Sequence, residues 1–267
     1  MFVDSPETTP APEAAAASAA HTKRHRWLAD VRDLFYPPQC VQCSNRLAES
    51  HAGALLCAAC REALFPEVPG WCIRCAAPQP PEANLPNCGY CRRDRFAFER
   101  TWSLGVYRGP LKSAVLAMKG RGSSLLSVAL GEELARQAES RGGREGVDLI
   151  VPIPMHWLRR LWRGTNPAEE LAEIVARRWR IPCEQVIRSG RRIPRQSRLA
   201  PSARRRNIRG AFSLARNYDI NGARVLLIDD VMTTGATAHE AARTLRRAGA
   251  ARITLAVAAR GLGGSRF

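Results

Sequence analysis

Two adjacent carboxylates and a run of small residues follow the most apolar strand that the sequence predicts. Residues 225–237 read VLLIDDVMTTGAT, so Asp229 and Asp230 end an apolar segment and a short turn follows them. Small side chains let backbone N–H groups approach an anion, and the amino end of a following helix adds partial positive charge. Threonine hydroxyls add donors, and paired carboxylates suit ribose hydroxyls or Mg²⁺. The segment therefore predicts a site for a sugar phosphate.

Two other kinds of phosphate site do not fit the sequence. A P-loop NTPase needs a Gly-x-x-x-x-Gly-Lys-Ser/Thr loop. None of the three lysines, Lys23, Lys112 and Lys119, lies in such a loop. A dinucleotide fold needs Gly-x-Gly-x-x-Gly after an early strand, and the chain has no such segment. A plain strand–turn–helix unit remains possible, but it would not require two acids before five small residues.

Eight of the nine cysteines form four Cys-x-x-Cys pairs, which fall into two sets of similar spacing. The sets are Cys40, Cys43, Cys57 and Cys60, and Cys72, Cys75, Cys88 and Cys91. Two residues between thiols let both sulfurs of one turn reach a single tetrahedral ion at about 2.3 Å. A four-sulfur site has no open position, so we expect two structural Zn²⁺ ions that supply folding energy.

The sequence leaves several alternatives open for the role and pairing of the cysteines. The thiols could instead hold an iron–sulfur cluster or act as a redox dithiol. The pairs could combine sequentially, as two ribbons, or interleave as one cross-braced unit; sequential pairing is preferred because each set is self-contained. The first residues do not read as a secretory signal, so we expect a reducing, cytoplasmic environment without disulfides. No apolar run is long enough to predict a transmembrane segment.

The chain is strongly basic, with 41 basic and 24 acidic residues and a formal net charge of +17. Residues 157–210 hold fifteen arginines and four glutamates, a net of +11. Such a field favours polyanions, including nucleic acid and phosphorylated small molecules. The competing interpretation is compositional drift, because Arg, Ala, Gly and Pro are all abundant while Lys is rare.

The pattern of the chain changes near residue 96. Residues 1–35 read as a tail ending in a basic cluster and a short helix at 27–35, and residues 36–95 hold the cysteine pairs. Strands are predicted at 101–107, 147–153, 224–229 and 252–259, and helices at 111–118, 125–138, 168–179 and 238–248. Strands that alternate with helices predict an α/β domain over 96–267, with a parallel sheet covered on both faces.

A resemblance to a known family rests on these motifs. The segment IDDVMTTGAT resembles the PRPP-binding signature of type I phosphoribosyltransferases. Together with the four cysteine pairs, it is similar to the ComF (competence protein F) family over roughly residues 36–260. The resemblance implies a double zinc ribbon at 36–95 followed by a phosphoribosyltransferase-like domain at 96–267.

The resemblance also implies roles for individual residues. Asp229 and Asp230 would meet the ribose hydroxyls, directly or through Mg²⁺. The 5-phosphate would be wrapped by Thr233, Thr234, Gly235, Ala236 and Thr237. Further ligand contacts would come from Lys119, from Arg163 and Gly164 in a pyrophosphate loop, and from Gln196 in a mobile hood. The sequence departs from the family pattern at Gly120, Thr165, Pro167 and Ala203, which concerns the second-substrate side most.

The function implied by the resemblance is binding of PRPP or a related phosphoribosyl ligand with Mg²⁺, in the service of DNA uptake and single-stranded DNA handling during natural transformation. Two alternatives stay open. One is an active phosphoribosyltransferase in nucleotide metabolism. The other is a non-catalytic zinc scaffold that docks a protein partner, such as a component of the competence machinery. Whether the chain is an enzyme is left undecided by the residues, because no general base can be identified.

Overall fold

The computed structural model describes residues 37–47, 54–80, 88–120, 124–155, 164–190 and 208–262. The helix predicted at 27–35 lies outside these ranges, as do Arg163 and Gln196. Within them, no helix combines the length and the apolar character that crossing a membrane requires.

A parallel sheet forms the centre of the C-terminal domain. The described strands are β1 (Arg100–Ser103), β2 (Leu149–Pro152), β3 (Ile187–Ser189), β4 (Phe212–Leu214), β5 (Arg224–Met232) and β6 (Arg252–Arg260). Four of them pair in the order β1-β6-β5-β2, all parallel, whereas β3 and β4 form a separate antiparallel pair. Strand β6 is buried from its second residue to its last, and β5 has four consecutive buried apolar residues before Asp229, as a sheet covered on both faces requires.

Helices cover both faces of this sheet. The described helices are α1 (Ala58–Leu64), α2 (Gly109–Ala117), α3 (Ser124–Glu139), α4 (Pro167–Trp179) and α5 (Ala236–Arg247). Helices α2, α3 and α4 share one hydrophobic core with one face of the sheet. Helix α5 and the β3–β4 pair belong to a second core on the opposite face. The predicted α/β fold with a parallel sheet is therefore confirmed.

Helix α4 shows how local sequence sets an element's ends. The Asn166 side chain accepts a hydrogen bond from the Ala168 N–H at 3.2 Å, and Pro167 occupies the first helical turn. Glu169 and Glu170 follow in the first turn, and two arginines lie in the last turn, as the helix dipole favours. These signals place the observed helix within one residue of the predicted one.

The bounds of other elements differ from the predicted ones. Strand β5 continues three residues past Asp229, so both carboxylates lie within the strand and not after it. Helix α5 begins at Ala236, two residues before its predicted start, because Gly235 with a φ of 71° turns the chain directly into the helix. Strand β1 ends at Ser103 and not at residue 107, and only a single bridge at Val106 follows it.

The cysteine-rich segment is not held by its sulfurs alone. The second cysteine set is buried in the same hydrophobic core as β5 and α5. Leu64 of α1 is 1% exposed and lies in the core that α2, α3 and α4 form. Both parts of the cysteine-rich segment therefore pack on the α/β domain, which the sparse apolar pattern of 36–95 did not predict.

Candidate functional site

The predicted phosphate loop lies at the carboxyl end of β5 and forms a concave surface. An open concavity of about 250 Å³ is lined by Asp229 and by the residues from Val231 to Ala238. Gly235 occupies the amino-terminal cap of α5 in the left-handed conformation. A Cβ at this position would lie 2.7 Å from Met232 Cε and 2.8 Å from Phe96 Cε1, so the loop accepts only glycine here without rearrangement.

Backbone donors in this loop are available to a ligand. The N–H groups of Thr233, Thr234 and Gly235 donate to no acceptor within the described part of the chain, whereas the Ala236 N–H donates to Thr234 Oγ1 at 3.4 Å. Gly235 has no side chain with which to cap the helix. Free amides at the amino end of a helix are the elements of an anion-binding site.

The two carboxylates lie beside the loop in a charged cluster. Asp229 Oδ1 accepts a hydrogen bond from the Asp230 N–H at 2.8 Å, and Asp230 Oδ1 accepts one from the Val231 N–H at 2.7 Å. Burial of the carboxyl group and the neighbouring Asp230 carboxylate raise the pKa of Asp229 well above its usual range. Ionisation of both carboxylates is therefore unfavourable in the ligand-free site, and a bound divalent cation would make it favourable.

Lys119, which lies early in the sequence of the α/β domain, also contacts this cluster. Its Nζ lies 2.5 Å from Asp230 Oδ2, and the two side chains are 17% and 22% exposed. Lys119 follows α2, which packs against α1 and the sheet, so the fold brings it over 100 residues of sequence to Asp230. The structure thus places this predicted ligand residue at the site.

The segment that resembles a pyrophosphate loop begins next to the carboxylates. Strand β2 pairs with β5, and the Ile153 N–H donates to the Ile228 carbonyl at 2.8 Å. Gly164 is exposed, with a φ of 82°. Asn166 is buried and caps α4, and its Nδ2 donates to the Ile153 carbonyl at 3.2 Å, so it has a structural role. Arg163 and Gln196 fall outside the described residues, and their predicted roles stay predictions.

The cysteines form two clusters that match sequential pairing. The sulfurs of Cys40, Cys43, Cys57 and Cys60 lie within 4.8 Å of one another, and so do those of Cys72, Cys75, Cys88 and Cys91. Three of the sulfur–sulfur distances are 3.7 to 3.8 Å. A tetrahedral ion with bonds of about 2.3 Å requires edges of about 3.8 Å between its sulfurs. The donor set and its dimensions therefore fit structural zinc.

The two clusters use the same turn. In the first, the Ser44 N–H donates to the Cys40 carbonyl at 2.8 Å, and in the second the Ala76 N–H donates to the Cys72 carbonyl at 2.8 Å. Both Ser44 and Ala76 have a positive φ, 62° and 51°. Gln79 Nε2 also donates to Cys88 Sγ at 3.0 Å, a contact from outside the cluster that helps to orient this sulfur.

A second concavity lies on the other side of the phosphate loop. It is open to solvent, and its charged and titratable lining consists of Arg95, Arg209, Arg243, His239, Asp94 and Glu240. The Ala97 N–H donates to His239 Nδ1 at 3.0 Å, which fixes the imidazole. Phe96 also lines this concavity. Phe98 stacks on its ring with centroids 4.6 Å apart, and the Arg74 guanidinium lies 6.0 Å from its centroid.

The sequence did not single out this second concavity or the residues that hold the loop. Phe96 and His239 read as ordinary core and helix residues, because their partners are more than 130 residues away in sequence. Trp179, an aromatic residue in the arginine-rich part of the sequence, is 1% exposed and belongs to the core. Arg260 ends the apolar segment RITLAVAAR, and a basic residue in that position is equally typical of a solvent-exposed strand end.

Comparison with protein families identifies two regions of the chain. The description "Phosphoribosyl transferase domain" matches residues 165–266, and "Double zinc ribbon domain" matches residues 31–93. The chain is 33% identical over 227 residues to the DNA utilization protein YhgH of Salmonella typhimurium, covering 82% of this chain and 96% of that protein. It is 28% identical to competence protein F of Haemophilus influenzae, covering 82% and 95%. For competence protein ComFC of Bacillus subtilis the identity is 28%, covering 73% and 80%.

Similar solved structures include a glutamine phosphoribosylpyrophosphate (PRPP) amidotransferase from B. subtilis, complexed with ADP and GMP. That similarity has a TM-score of 0.35 and 23% identity. It covers 49% of this chain and 25% of the other, so the chain spans about a quarter of that enzyme's length.

Proposed function

Because the chain belongs to the competence protein F (ComF) family, a double zinc ribbon joined to a phosphoribosyltransferase-like domain, we propose that it binds PRPP or a related phosphoribosyl ligand and serves DNA uptake and utilization. The observation that carries the ligand is the loop after Asp229 and Asp230. It lines a concavity and has amides at Thr233, Thr234 and Gly235 without acceptors in the described chain. The loop would hold the 5-phosphate.

The carboxylates would take the sugar end of the ligand. Asp229 and Asp230 would either accept hydrogen bonds from the ribose hydroxyls or help to hold Mg²⁺ beside them, and the ion would supply positive charge for the pyrophosphate oxygens. Lys119, already 2.5 Å from Asp230, would position that carboxylate until a cation binds there. Arg163 and Gly164 would lie on the pyrophosphate side, and Gln196 in the hood.

Isothermal titration calorimetry with PRPP and Mg²⁺ tests this proposal. The wild-type chain is expected to bind with Mg²⁺ present, and D229N and D230N are expected to lose most of the binding heat. D148N is a matched control, because Asp148 lies at the opposite end of the same strands and pairs with Arg224 at 2.7 Å. Absence of heat from the wild type at every Mg²⁺ concentration would exclude PRPP as the ligand.

Transfer of the phosphoribosyl group is a separate question with its own outcome. Release of pyrophosphate from PRPP on addition of a free nucleobase would show that the domain is an active transferase. PRPP binding without pyrophosphate release would assign the domain a ligand-sensing role. If neither PRPP nor DNA binds, the alternative of a zinc scaffold for a protein partner is the one that fits.

The arginine-lined concavity favours a second activity, contact with the backbone of single-stranded DNA. Arg95 and Arg209 are exposed and pair with no carboxylate in the described ranges. Arg243 approaches Glu240 at 3.5 Å. Trp179 is buried and Phe98 already stacks on the Phe96 ring, so these two aromatic side chains offer little surface for base stacking. We infer that the DNA is held through its phosphates, with little sequence preference.

Fluorescence anisotropy in a salt series tests the DNA contact. Each lost phosphate contact lowers the slope of log affinity against log salt by about 0.7, so R95A/R209A is expected to lower it by about 1.4. The control R144A/R216A removes the same charge at two exposed arginines that do not line the concavity. Equal slopes for the two double variants would contradict the assignment of this surface.

A further inference from the structure

Arg260 is a buried arginine at the end of the last strand, directly behind the phosphate loop. It is 4% exposed and pairs with Met232 in the β5–β6 register. Its own backbone is fixed on the other side, because its N–H donates to the Gly105 carbonyl and its carbonyl accepts from the Tyr107 N–H, both at 2.8 Å. The side chain is therefore attached to a rigid part of the sheet.

The guanidinium binds the backbone at the start of the loop. Nη1 donates to the Met232 carbonyl at 3.0 Å, and also to the carbonyls of Thr233 and Gly261. A backbone hydrogen bond from the Gly261 N–H to the Met232 carbonyl, at 2.8 Å, holds the same strand-to-loop junction. One side chain thus holds two successive carbonyls of the strand-to-loop junction.

The charge of Arg260 is not balanced by a neighbouring acid. No carboxylate among the described residues lies within ion-pair distance of its guanidinium, and its buried Nε has no hydrogen-bond partner there. A buried charge without a counter-charge is unfavourable. Binding of an anion close to the loop would therefore be stabilised by the charge of Arg260.

Because the peptide bond is planar, the contacts of Arg260 with the loop carbonyls also fix the direction of the neighbouring N–H groups. In a trans peptide the C=O and the following N–H point in opposite directions. Because the carbonyls of Met232 and Thr233 point at Arg260, the N–H groups of Thr233 and Thr234 point away from it. These are two of the three loop amides without an acceptor in the described chain.

We propose that Arg260 is the positioning residue of the phosphate loop: it pins the Met232 and Thr233 carbonyls, turns the next two N–H groups outward, and provides positive charge that a bound phosphate balances. This inference rests on the proposed function for the identity of the anion. The orientation of the loop by Arg260 does not depend on that identity and is tested separately.

Amide hydrogen–deuterium exchange on the ligand-free full chain tests the orientation. In R260M, which keeps the side-chain volume but loses the charge and the donors, the amides of Gly261 and His239 are expected to exchange faster. These amides donate to the Met232 and Gly235 carbonyls at the two ends of the loop, whereas the amides of Thr233 to Gly235 have no acceptor in the described chain and are already unprotected. The amides of the β5 core should exchange as in the wild type. R260K keeps the charge with a shorter reach and should give an intermediate rate. The control I253V alters a fully buried side chain of the same strand and should leave the loop unchanged.

PRPP titration of the same variants tests the effect on the anion. R260M is expected to weaken PRPP binding about tenfold or more, the range for loss of charge-assisted hydrogen bonds, and R260K by less. Exchange of the Gly261 and His239 amides at the wild-type rate in both variants would overturn the proposal, and so would unchanged affinity in R260M. If R260M does not fold, R260K decides alone. A wild-type chain that binds no PRPP refutes the proposed ligand but leaves the exchange result to judge Arg260.

Discussion

Asp229, which we propose binds the ligand, is a residue whose position lowers the stability of the ligand-free fold. Its carboxyl group is packed beside Asp230, and both burial and the neighbouring charge favour its protonated form. A strand end that only had to fold would not place two carboxylates side by side. The arrangement is favourable only when a cation or a hydroxyl donor occupies the site.

The first prediction concerns the effect of D229N on the Tm. Because the folded-state pKa of Asp229 is raised, its stabilising contribution is complete below the unfolded pKa of about 3.9. That contribution is lost as pH rises through the folded value. Removing the charge should therefore raise the Tm of the ligand-free chain by about 2–4 °C near pH 8, with almost no gain near pH 4. Differential scanning calorimetry without ligand, in EDTA-free buffer, measures the Tm of D229N and of the wild type at the two pH values.

The control for this prediction is D148N. Hydrogen bonds from Arg224 lower the pKa of Asp148 to about 2, so loss of its charge should not stabilise the fold at any pH. A D229N chain with a lower Tm than the wild type near pH 8 would contradict the stability cost assigned to the carboxylate pair.

At the scale of elements, the two zinc ribbons differ in exposure. All four cysteines of the second cluster are buried, whereas in the first Cys43 is exposed and Cys57 and Cys60 are partly exposed. The second cluster also lies inside the core shared with β5 and α5. Release of its metal therefore requires opening of that core, while the first cluster can be reached from solvent.

Zinc release under a chelator is expected to be biphasic, with about one ion in each phase. A colorimetric chelator assay follows the release, and C43S should abolish the fast phase alone. C75S, in the buried cluster, should remove the slow phase and lower the Tm, because its metal lies within the shared core. A single phase for both ions would show that the two ribbons open together.

A second prediction concerns the contact that attaches the first zinc ribbon to the α/β domain. Arg61 of α1 donates to Glu133 Oε2 of α3 at 2.7 Å, and Glu133 is 7% exposed. Against the effect of burial, hydrogen bonds from Arg136 and Gln137 lower the pKa of Glu133, so its contribution is complete above the unfolded pKa of about 4.3 and is lost as pH falls below it. E133Q should cost about 1–2 kcal/mol of unfolding free energy at neutral pH.

The matched control is E132Q on the same helix, where Glu132 is exposed and pairs with Arg178 at 3.1 Å. An exposed pair should contribute below about 0.5 kcal/mol. Urea unfolding of both variants at neutral pH gives the comparison. Equal effects of the two substitutions would mean that the Arg61–Glu133 contact does not fasten the ribbon to the domain.

Elements with strong local signals were predictable, and short ones were not. Strand β5 and helix α5 are continuous apolar and amphipathic segments, so their type followed from periodicity. Helix α1 has seven residues and begins at Cys57, which also belongs to a cysteine pair, so its helical character was hidden by the metal pattern. Strands β3 and β4 have three residues each, and their pairing depends on contacts that are distant in sequence.

At the scale of the whole molecule, the local part of the site could be predicted and the assembled part could not. The loop and the carboxylates are contiguous, so their chemistry was readable from residues 225–237. Lys119 was named only through the family resemblance, because its contact with Asp230 depends on how α2 packs. Arg260 contacts carbonyls, and a strand-end arginine carries no sequence pattern that distinguishes such a contact from exposure to solvent.

The joined architecture explains why the two modules belong to one chain. The second ribbon shares a core with the face of the sheet that carries α5, and Phe96, just after the ribbon, contacts Gly235 in the loop. We therefore expect loss of the second zinc to loosen the phosphate loop, whereas loss of the first should leave it intact. The domain limits of 36–95 and 96–267 remain a prediction, since these contacts cross them.

The central claim is that the loop after Asp229 and Asp230 binds a sugar phosphate through its backbone. Amide-resolved NMR of the ¹⁵N-labelled chain during titration with PRPP and Mg²⁺ tests it most directly. The account predicts saturable downfield shifts of the Thr233, Thr234 and Gly235 amides as they gain phosphate acceptors, with the β5 core unchanged. Saturable shifts confined to other parts of the chain, or no shifts at all, would contradict it.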